Sequence, residues 1–89
     1  MLFEWDENKR QSNLTKHGLD LLRGSDLFDG RTTCVYGSRR SPEQRFVTIG
    51  LLNDEMVALV WTERNGNIRL ISLRRARDAE KRAYRSLFG

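Results

Sequence analysis

The chain is poor in the residues that build disulfides and metal centres. Its 89 residues include one cysteine and one histidine. The cysteine, Cys34, cannot form a disulfide within the chain, which is typical of proteins from a reducing compartment. One histidine, one cysteine and no clustered carboxylates do not make up a zinc site. We therefore expect a protein that uses no metal and no other cofactor.

Long apolar runs are also missing. No segment approaches the roughly 20 apolar residues that a transmembrane helix needs. The first ten residues, MLFEWDENKR, place acids where a secretory signal carries positive charge and then an apolar stretch. These features favour a cytoplasmic protein without a membrane partner. A length of 89 residues predicts one domain over residues 1–89.

Basic residues are abundant but unevenly placed. Residues 1–63 hold eight basic and ten acidic side chains, a net charge of −2, whereas residues 64–85 hold eight basic and two acidic ones, a net charge of +6. Thirteen of the sixteen basic residues are arginine, whose forked guanidinium suits bidentate binding of phosphate or carboxylate. The asymmetry favours a polyanionic partner such as RNA, although a solvated basic helix has the same composition.

Periodicity and turn residues predict an α+β fold with two N-terminal helices, a four-stranded antiparallel meander sheet and a C-terminal helix. The helices are expected mostly on one face of the sheet. Asp6 and Asp20 suit the N-caps of the first two helices, and Gly18 suits the end of the first. Residues 3–5 suit either a short strand or an apolar anchor. The predicted helices are 7–17, 21–28 and 76–88, the predicted strands are 31–37, 45–52, 56–64 and 67–74, and a polar loop covers 38–44.

Two short turns set the predicted strand register. Asn65-Gly66 is a strong two-residue hairpin signal, because both residues tolerate positive φ, and Asn53-Asp54 is a weaker one. The face that carries Val57, Leu59 and Trp61 is the more continuously apolar one and is predicted to face the core. Around Asn65-Gly66 the predicted pairs are Arg64–Asn67, Glu63–Ile68, Thr62–Arg69, Trp61–Leu70, Val60–Ile71 and Leu59–Ser72.

The opposite, more polar face gathers arginines in this register. Counting across Asn53-Asp54 places Arg45 opposite Thr62, so that Arg45, Thr62 and Arg69 form a lateral row with Arg64 one step away. Like charges on one face repel each other unless an anion lies between them. The row therefore indicates a phosphate site. The alternative is that each arginine is paired within the protein, and the candidate partners are Glu43, Glu63 and Asp54.

RNA cleavage is a reaction that such a chain could carry out without a metal. The 2′-hydroxyl of RNA attacks the adjacent phosphate, and the enzyme moves protons and stabilises the anionic transition state. His17 titrates near neutrality and suits either proton transfer. Lys16 or Tyr84 could assist. The alternatives remain open: His17 can serve as a helix C-terminal residue, and Tyr84 can pack against the last helix's apolar stripe.

The opening segment FEWDENKRQSNLTKHGL resembles the F-x-W-D…K…N…K-H-G signature of BrnT-type toxins. The later segments RFVTIG, TER and IRLISLRRARDAEKRAY are similar to that family's downstream pattern, in the same order. The resemblance implies a RelE-like fold and a ribonuclease toxin of a type II toxin–antitoxin system, which inhibits growth by cleaving RNA. It also implies a cognate DNA-binding antitoxin as the partner, and contact with operator DNA only through the toxin–antitoxin complex.

The matching motifs indicate the site residues. Lys16 and His17 match K-H, Arg64 matches the arginine of T-x-R, and Leu73 departs from the family's small alanine within the I-R-x-I-S-x-R stretch. A non-catalytic module that binds nucleic acid or protein is the alternative function, and a plain domain with solvated arginines is a third possibility. The predicted catalytic residues are His17, Arg64, Arg69 and Arg74, and the predicted RNA-binding residues are Lys16, Arg45, Ser72 and Arg75.

Overall fold

A computed structural model describes residues 2–39 and 42–89 of the chain. It confirms the α+β class. Arg40 and Ser41, within the predicted polar loop, lie outside the described residues. No helix in the described part is long and apolar enough to cross a membrane. In chain order the elements are β1 (Phe3–Glu4), α1 (Glu7–His17), a 3₁₀ helix (Leu21–Phe28), β2 (Cys34–Ser38), β3 (Arg45–Leu52), β4 (Glu55–Arg64), β5 (Asn67–Arg75) and α2 (Asp78–Phe88).

The sheet has five strands in the order β1-β5-β4-β3-β2. Strands β2 to β5 form the predicted antiparallel meander, but β1 adds a parallel edge strand beside β5. Phe3 pairs with Ile68 and Glu4 with Arg69. The prediction of a purely antiparallel four-stranded sheet is therefore wrong. Two residues are too few to show the alternation of a strand, and a parallel partner depends on a long crossover connection that the local sequence does not specify.

Helix α1 begins and ends where the sequence predicts. The Asp6 carboxylate accepts a hydrogen bond from the Asn8 amide at 2.8 Å, which satisfies one of the helix's unpaired amides. Gly18 adopts the left-handed conformation with φ 67° and donates its amide to the Leu14 carbonyl at 2.9 Å. Asn13 is the fully buried residue of this mostly exposed helix.

Asn13 fixes α1 to the edge of the sheet. Strand β1 pairs with β5 only at Ile68 and Arg69, so the edge of β5 at Leu73 meets α1 instead. The Asn13 Oδ1 accepts from the Leu73 amide, and its Nδ2 donates to the Leu73 carbonyl, both at 2.9 Å. Nδ2 also donates to the Leu19 carbonyl at 2.8 Å. The side chain thus replaces a neighbouring strand and satisfies buried backbone groups.

The second predicted helix forms over the expected residues, but it is a 3₁₀ helix. Asp20 caps it and accepts from the Leu22 amide at 3.0 Å. Gly24 is buried on its inner side, where an added Cβ would lie 2.6 Å from Leu59 Cδ1. The missing side chain lets the backbone approach the sheet closely. The difference from the prediction is one of helix type, which apolar spacing over two turns does not decide.

Helices cover both faces of the sheet, so the prediction that they lie mostly on one face is wrong. The 3₁₀ helix packs over the predicted core face, where Val57 and Leu59 are fully buried and Trp61 is partly buried. Helix α2 covers part of the other face, because its Tyr84 is partly buried there, and Ala76, just before the helix, is buried in the same cluster. The core residues on the first face are Leu19, Leu21, Leu27, Leu52, Val57, Leu59, Ile68, Leu70 and Leu73, and those on the second are Val47, Ile49, Ala58 and Ala76.

Both predicted hairpin turns have two residues. Asn53, Asp54 and Asn65 have φ of 50°, 66° and 53°, and Gly66 has φ of 80°. Positive φ at both central positions is the geometry of type I′ turns, whose twist matches the flanking strands. The register between β3 and β4 follows the prediction from Leu52–Glu55 to Phe46–Trp61.

The register between β4 and β5 follows the prediction for only four pairs. From Arg64–Asn67 to Trp61–Leu70 the partners are those expected, and then a β-bulge shifts the pairing by one residue. Val60 faces Ser72 and Leu59 faces Leu73, so the predicted pairs Val60–Ile71 and Leu59–Ser72 are wrong. Ile71 is the extra residue. A bulge changes pairing without changing the local composition, so the alternation pattern does not show it.

Candidate functional site

A lateral row of four residues crosses the second face of the sheet. Tyr36 of β2 pairs with Val47 of β3, Val47 pairs with Val60 of β4, and Val60 pairs with Ser72 of β5. Directly paired residues point to the same face of a sheet. The row therefore has an aromatic ring at one end, two aliphatic side chains in the middle and a hydroxyl at the other end. Ser72 belongs to this face because of the bulge at Ile71.

A cavity of about 270 Å³ lies over this row. We call it the Tyr36 cavity. Two predicted site residues, Arg45 and Arg74, reach it from strands β3 and β5, and predicted Ser72 closes one end. Its lining residues are Tyr36, Ser38, Arg45, Val47, Val60, Ile71, Ser72, Arg74 and Arg77.

A second cavity of about 170 Å³ lies between α1 and β5. We call it the His17 cavity. It shares Ile71 and Ser72 with the Tyr36 cavity, so the two adjoin across the bulge and form what we call the basic trough. Within residues 2–39 and 42–89, the side chains that line the trough include cations and hydroxyls but no carboxylate. The lining residues of the His17 cavity are Lys9, Ser12, Asn13, Lys16, His17, Ile71 and Ser72.

Burial and positive neighbours act together on His17. Partial burial lowers the pKa of its imidazole, and the charges of Lys16, Arg74 and Arg75 lower that pKa further. Each of these effects disfavours the imidazolium form. The lowered pKa favours the neutral imidazole, which is the form that can accept a proton. The same interactions show that Arg74 and Arg75 lie within electrostatic range of His17. This proximity comes from the fold, because the two arginines are far from His17 in the sequence.

Glu80 organises the wall of the trough beside Arg74. Its carboxylate accepts two hydrogen bonds from the Arg74 guanidinium, at 2.7 and 2.9 Å, one from the Arg77 amide at 2.8 Å and one from the Tyr36 hydroxyl. Burial disfavours the charged carboxylate, but these hydrogen bonds outweigh it and lower the pKa of Glu80 to about 2. Burial and the Glu80 carboxylate raise the pKa of Tyr36. One anion thus fixes an arginine, a tyrosine and the start of α2.

A second arginine group lies around Glu43, near the β4–β5 hairpin. Arg64 donates to Glu43 at 3.0 and 3.2 Å, and Arg45 Nε lies 3.9 Å from it. Hydrogen bonding from Arg64 lowers the pKa of Glu43, and the charges of Arg45 and Arg69 contribute to the shift. The predicted pair of Thr62 and Arg69 is present. Arg45, Arg64 and Arg69 therefore all lie near Glu43, and Arg64 is held by that carboxylate, as the alternative supposed.

Arg75 points away from the trough. It donates to Glu55 at 2.8 Å and to the His17 carbonyl at 2.8 Å. It lines a different cavity, together with Lys81 and Arg85 of α2. Its contact with the site is therefore through the backbone at the end of α1, where it satisfies a carbonyl that the helix leaves unpaired.

The predicted site residues thus fall into three places. Lys16 and His17 share one cavity, Arg45 and Arg74 share the adjoining one, and Ser72 belongs to both. Arg64 and Arg69 lie toward the hairpin, and Arg75 lies on the other side of α1's end. Tyr84, the tyrosine considered for proton transfer, packs in the second core and contacts the Phe88 ring at 5.0 Å between centroids.

Several residues of the site were not found by sequence reasoning, among them Lys9, Asn13, Tyr36 and Glu80. Asn13 stands in a polar helix and Tyr36 in a short edge strand, so neither differs locally from a surface residue. Glu80 is three residues after Arg77, in the first turn of a helix. A glutamate there is expected to cap the helix, so it does not indicate a functional site. Glu80 finds its side-chain partners, Tyr36 and Arg74, only because the fold places α2 beside β2 and β5.

Comparison with protein families identifies the chain's family. The family model described as the ribonuclease toxin BrnT of type II toxin–antitoxin systems matches residues 5–80, which is most of the chain. This range includes every predicted site residue and all residues that line the trough. A search of curated proteins found no match.

Proposed function

The chain belongs to the BrnT family of ribonuclease toxins of type II toxin–antitoxin systems, and from that premise we propose that it is a metal-independent endoribonuclease whose basic trough binds and cleaves RNA. The observation that supports this most is the sharing of Ser72 between the two cavities. It brings an imidazole with a lowered pKa and a set of cations to one continuous lining, which has no carboxylate among the residues that the structure describes. Such a lining favours a phosphodiester over a neutral or cationic ligand.

His17 suits the role of general base in this proposal. A base must be unprotonated at the working pH, and the lowered pKa of His17 meets that requirement at neutrality. It takes the proton of the 2′-hydroxyl as that oxygen attacks the adjacent phosphorus. The crowded phosphorane then carries extra negative charge, which Lys9 and Lys16 on the same cavity wall stabilise. Lys16 also supplies the proton for the leaving 5′ oxygen.

The arginines have separate roles in RNA binding in this proposal. Arg45 reaches into the trough, so it contacts the RNA next to the scissile phosphate. Arg74 has both terminal nitrogens engaged by Glu80, so it acts mainly through its fixed charge and through the position of the trough wall. Arg64 and Arg69 lie beyond Arg45 around Glu43, and in the proposal they bind RNA that extends toward the hairpin.

Cleavage of RNA by the purified chain in EDTA tests the proposal. The wild-type protein should convert an RNA transcript to fragments that end in a 2′,3′-cyclic phosphate, since the 2′-hydroxyl is the nucleophile. His17→Ala should slow cleavage by about 100-fold or more, the range for loss of a general base. Arg82→Ala is the matched control, because Arg82 is an exposed cation of α2 outside the trough lining.

The outcomes separate the parts of the proposal. An inert wild-type protein that still binds RNA would replace the nuclease with a non-catalytic binding module. Full activity of His17→Ala would remove His17 from the chemistry while leaving the nuclease in place. A loss in Arg82→Ala equal to that in His17→Ala would show that net charge, rather than the trough, governs cleavage.

Membership of a toxin–antitoxin family implies an antitoxin partner. We propose that this partner is a DNA-binding protein encoded beside the toxin, that it covers the trough with an acidic or C-terminal segment, and that operator DNA is reached only through the complex. The cationic lining complements such a segment. Induction of the toxin alone should stop growth, as expected of cytoplasmic RNA cleavage, and co-expression of the neighbouring gene should restore growth.

A further inference from the structure

The Tyr36 cavity has an apolar floor that phosphate binding does not use. Val47 and Val60 pair with each other in this floor, and Tyr36 and Ile71 border it. Aliphatic carbon offers no hydrogen bond or charge to an anion. A nucleobase, by contrast, has two apolar faces and a polar edge, and single-stranded RNA is recognised through such unstacked bases. The floor therefore suits a flat ring system.

We propose that the Tyr36 cavity is a nucleobase subsite, which holds one unstacked base of the RNA against Tyr36 while the adjacent phosphate occupies the His17 cavity. This inference rests on the proposed function in taking RNA as the ligand. The inference adds which part of the RNA, base or phosphate, occupies each cavity. The two cavities share Ile71 and Ser72, so a base and its neighbouring phosphate, which are consecutive along the chain, can occupy them together.

The Tyr36 ring is held in place for stacking. The residue is 41% exposed, but its hydroxyl donates to the buried Glu80 carboxylate, which is itself fixed by Arg74. A ring that is both accessible and anchored loses little conformational freedom when a ligand stacks on it. The anchoring therefore presents one aromatic face at the end of the apolar floor.

Polar groups at the rim can meet the edge of the base. Ser38 and Ser72 bring hydroxyls to opposite ends of the cavity. Arg45 Nε is buried and has no hydrogen-bond partner among the described residues, and the nearby Glu43 oxygen is 3.9 Å away. A buried donor without a partner is costly, and an acceptor atom on the edge of a base would satisfy it.

The size of the Tyr36 cavity limits the ligand. At about 270 Å³ it lies just below the range of about 300–1,000 Å³ that is common for drug-sized ligands. This volume admits a single base. A single base subsite would make cleavage depend on the nucleotide at one position beside the scissile bond.

Binding of two non-cleavable oligonucleotides by the full chain tests this subsite. One is a hexamer of 2′-O-methyl RNA with mixed bases, and the other has the same backbone without any bases, so the two carry equal charge. The wild-type protein should bind the strand with bases about tenfold or more tightly, since stacking of one base on an aromatic ring has an effect of this size. A 2-aminopurine placed at each position in turn should lose fluorescence at one position on binding.

Variants of Tyr36 assign the effect to the ring. Tyr36→Leu should remove most of the difference between the two strands and the fluorescence loss, whereas Tyr36→Phe should keep both, because it retains the aromatic face. Phe88→Leu is the matched control, an exposed aromatic of α2 outside the trough lining. Equal affinity of the wild-type protein for both strands would overturn the subsite, as would a Tyr36→Leu variant that keeps the full difference.

Parallel cleavage assays separate this inference from the proposed function. Cleavage of ordinary RNA in EDTA, together with equal binding of the two strands, would reject the base subsite alone. Base-dependent binding that requires the Tyr36 ring, in a protein that does not cleave RNA, would support the subsite and reject the nuclease. Failure of the base subsite and failure of the nuclease therefore give different results with the same purified proteins.

Discussion

Ser72 lies directly opposite Val60 because β5 contains one residue more than β4 at that point, Ile71. Two residues of the bulged strand then face one residue of its partner. Both Ile71 and Ser72 line the two cavities of the basic trough. Without the bulge, Ser72 would point to the core beside Leu59, and the link between the cavities would be missing.

The Arg74–Glu80 pair should be important for stability. Their side chains are only 14% and 7% exposed, so Glu80→Gln leaves a largely buried guanidinium without its anion. We expect the free energy of unfolding to fall by about 3 kcal/mol, as for other broken buried pairs. Urea denaturation measures the change. The control Glu55→Gln breaks the exposed pair with Arg75 and should change stability by less than about 1 kcal/mol; similar losses in both variants would contradict the prediction.

Stability should fall at acid pH because of Glu80. Its pKa in the folded protein is about 2, compared with an ordinary value of 4.5. A lowered folded-state pKa contributes stability that is complete above pH 4.5 and is lost as the pH falls from 4.5 through 2. The urea midpoint of the wild-type protein should therefore decline over this range. In Glu80→Gln the decline should be shallower, and an unchanged slope would assign the acid sensitivity to other carboxylates.

Asn13 should stabilise the joint between α1 and the sheet. Asn13→Ala removes the partners of the Leu73 amide and carbonyl and of the Leu19 carbonyl. Leaving buried backbone groups unpaired costs about 1–3 kcal/mol each where water cannot replace the bond, so we expect a loss of at least about 2 kcal/mol in urea denaturation. Asn8→Ala, at an exposed position of the same helix, should lie within about 0.5 kcal/mol of wild type. Equal stability of the two variants would show that α1 is not fixed by this side chain.

The pH dependence of RNA cleavage should reveal the state of His17. If His17 is the base, the rate falls at acid pH with a midpoint below the ordinary 6.5 of histidine, because burial and the neighbouring cations lower its pKa. Lys16→Gln removes one of those cations and should move the midpoint to higher pH, even though it also reduces the maximal rate. Rates at RNA concentrations well below saturation, from pH 4.5 to 8, report the free protein and measure both effects. A midpoint above 6.5, or one unmoved in Lys16→Gln, would exclude the imidazole as the titrating base.

Local signals specified most of the elements but not the edges of the sheet. The caps at Asp6 and Asp20 and the turns at Asn53-Asp54 and Asn65-Gly66 act through their own backbone and nearest neighbours. They therefore appear in the sequence and were predicted. The parallel pairing of β1 with β5 and the bulge at Ile71 depend on which strand lies alongside, so neither was predicted.

The sequence by itself determined the α+β class, the positions of three helical segments and four strands, and the excess of arginine after residue 63. It did so because periodicity, capping and turn chemistry act over a few residues. Only the tertiary structure decided which arginines stay available to a ligand. Glu43 is 21 residues from Arg64 in the sequence, yet it holds that arginine. Glu80 is 6 residues from Arg74 and 44 from Tyr36, and it binds both side chains. Charge pairing depends on distances of a few ångströms across strands, and those distances follow from register and packing rather than from composition.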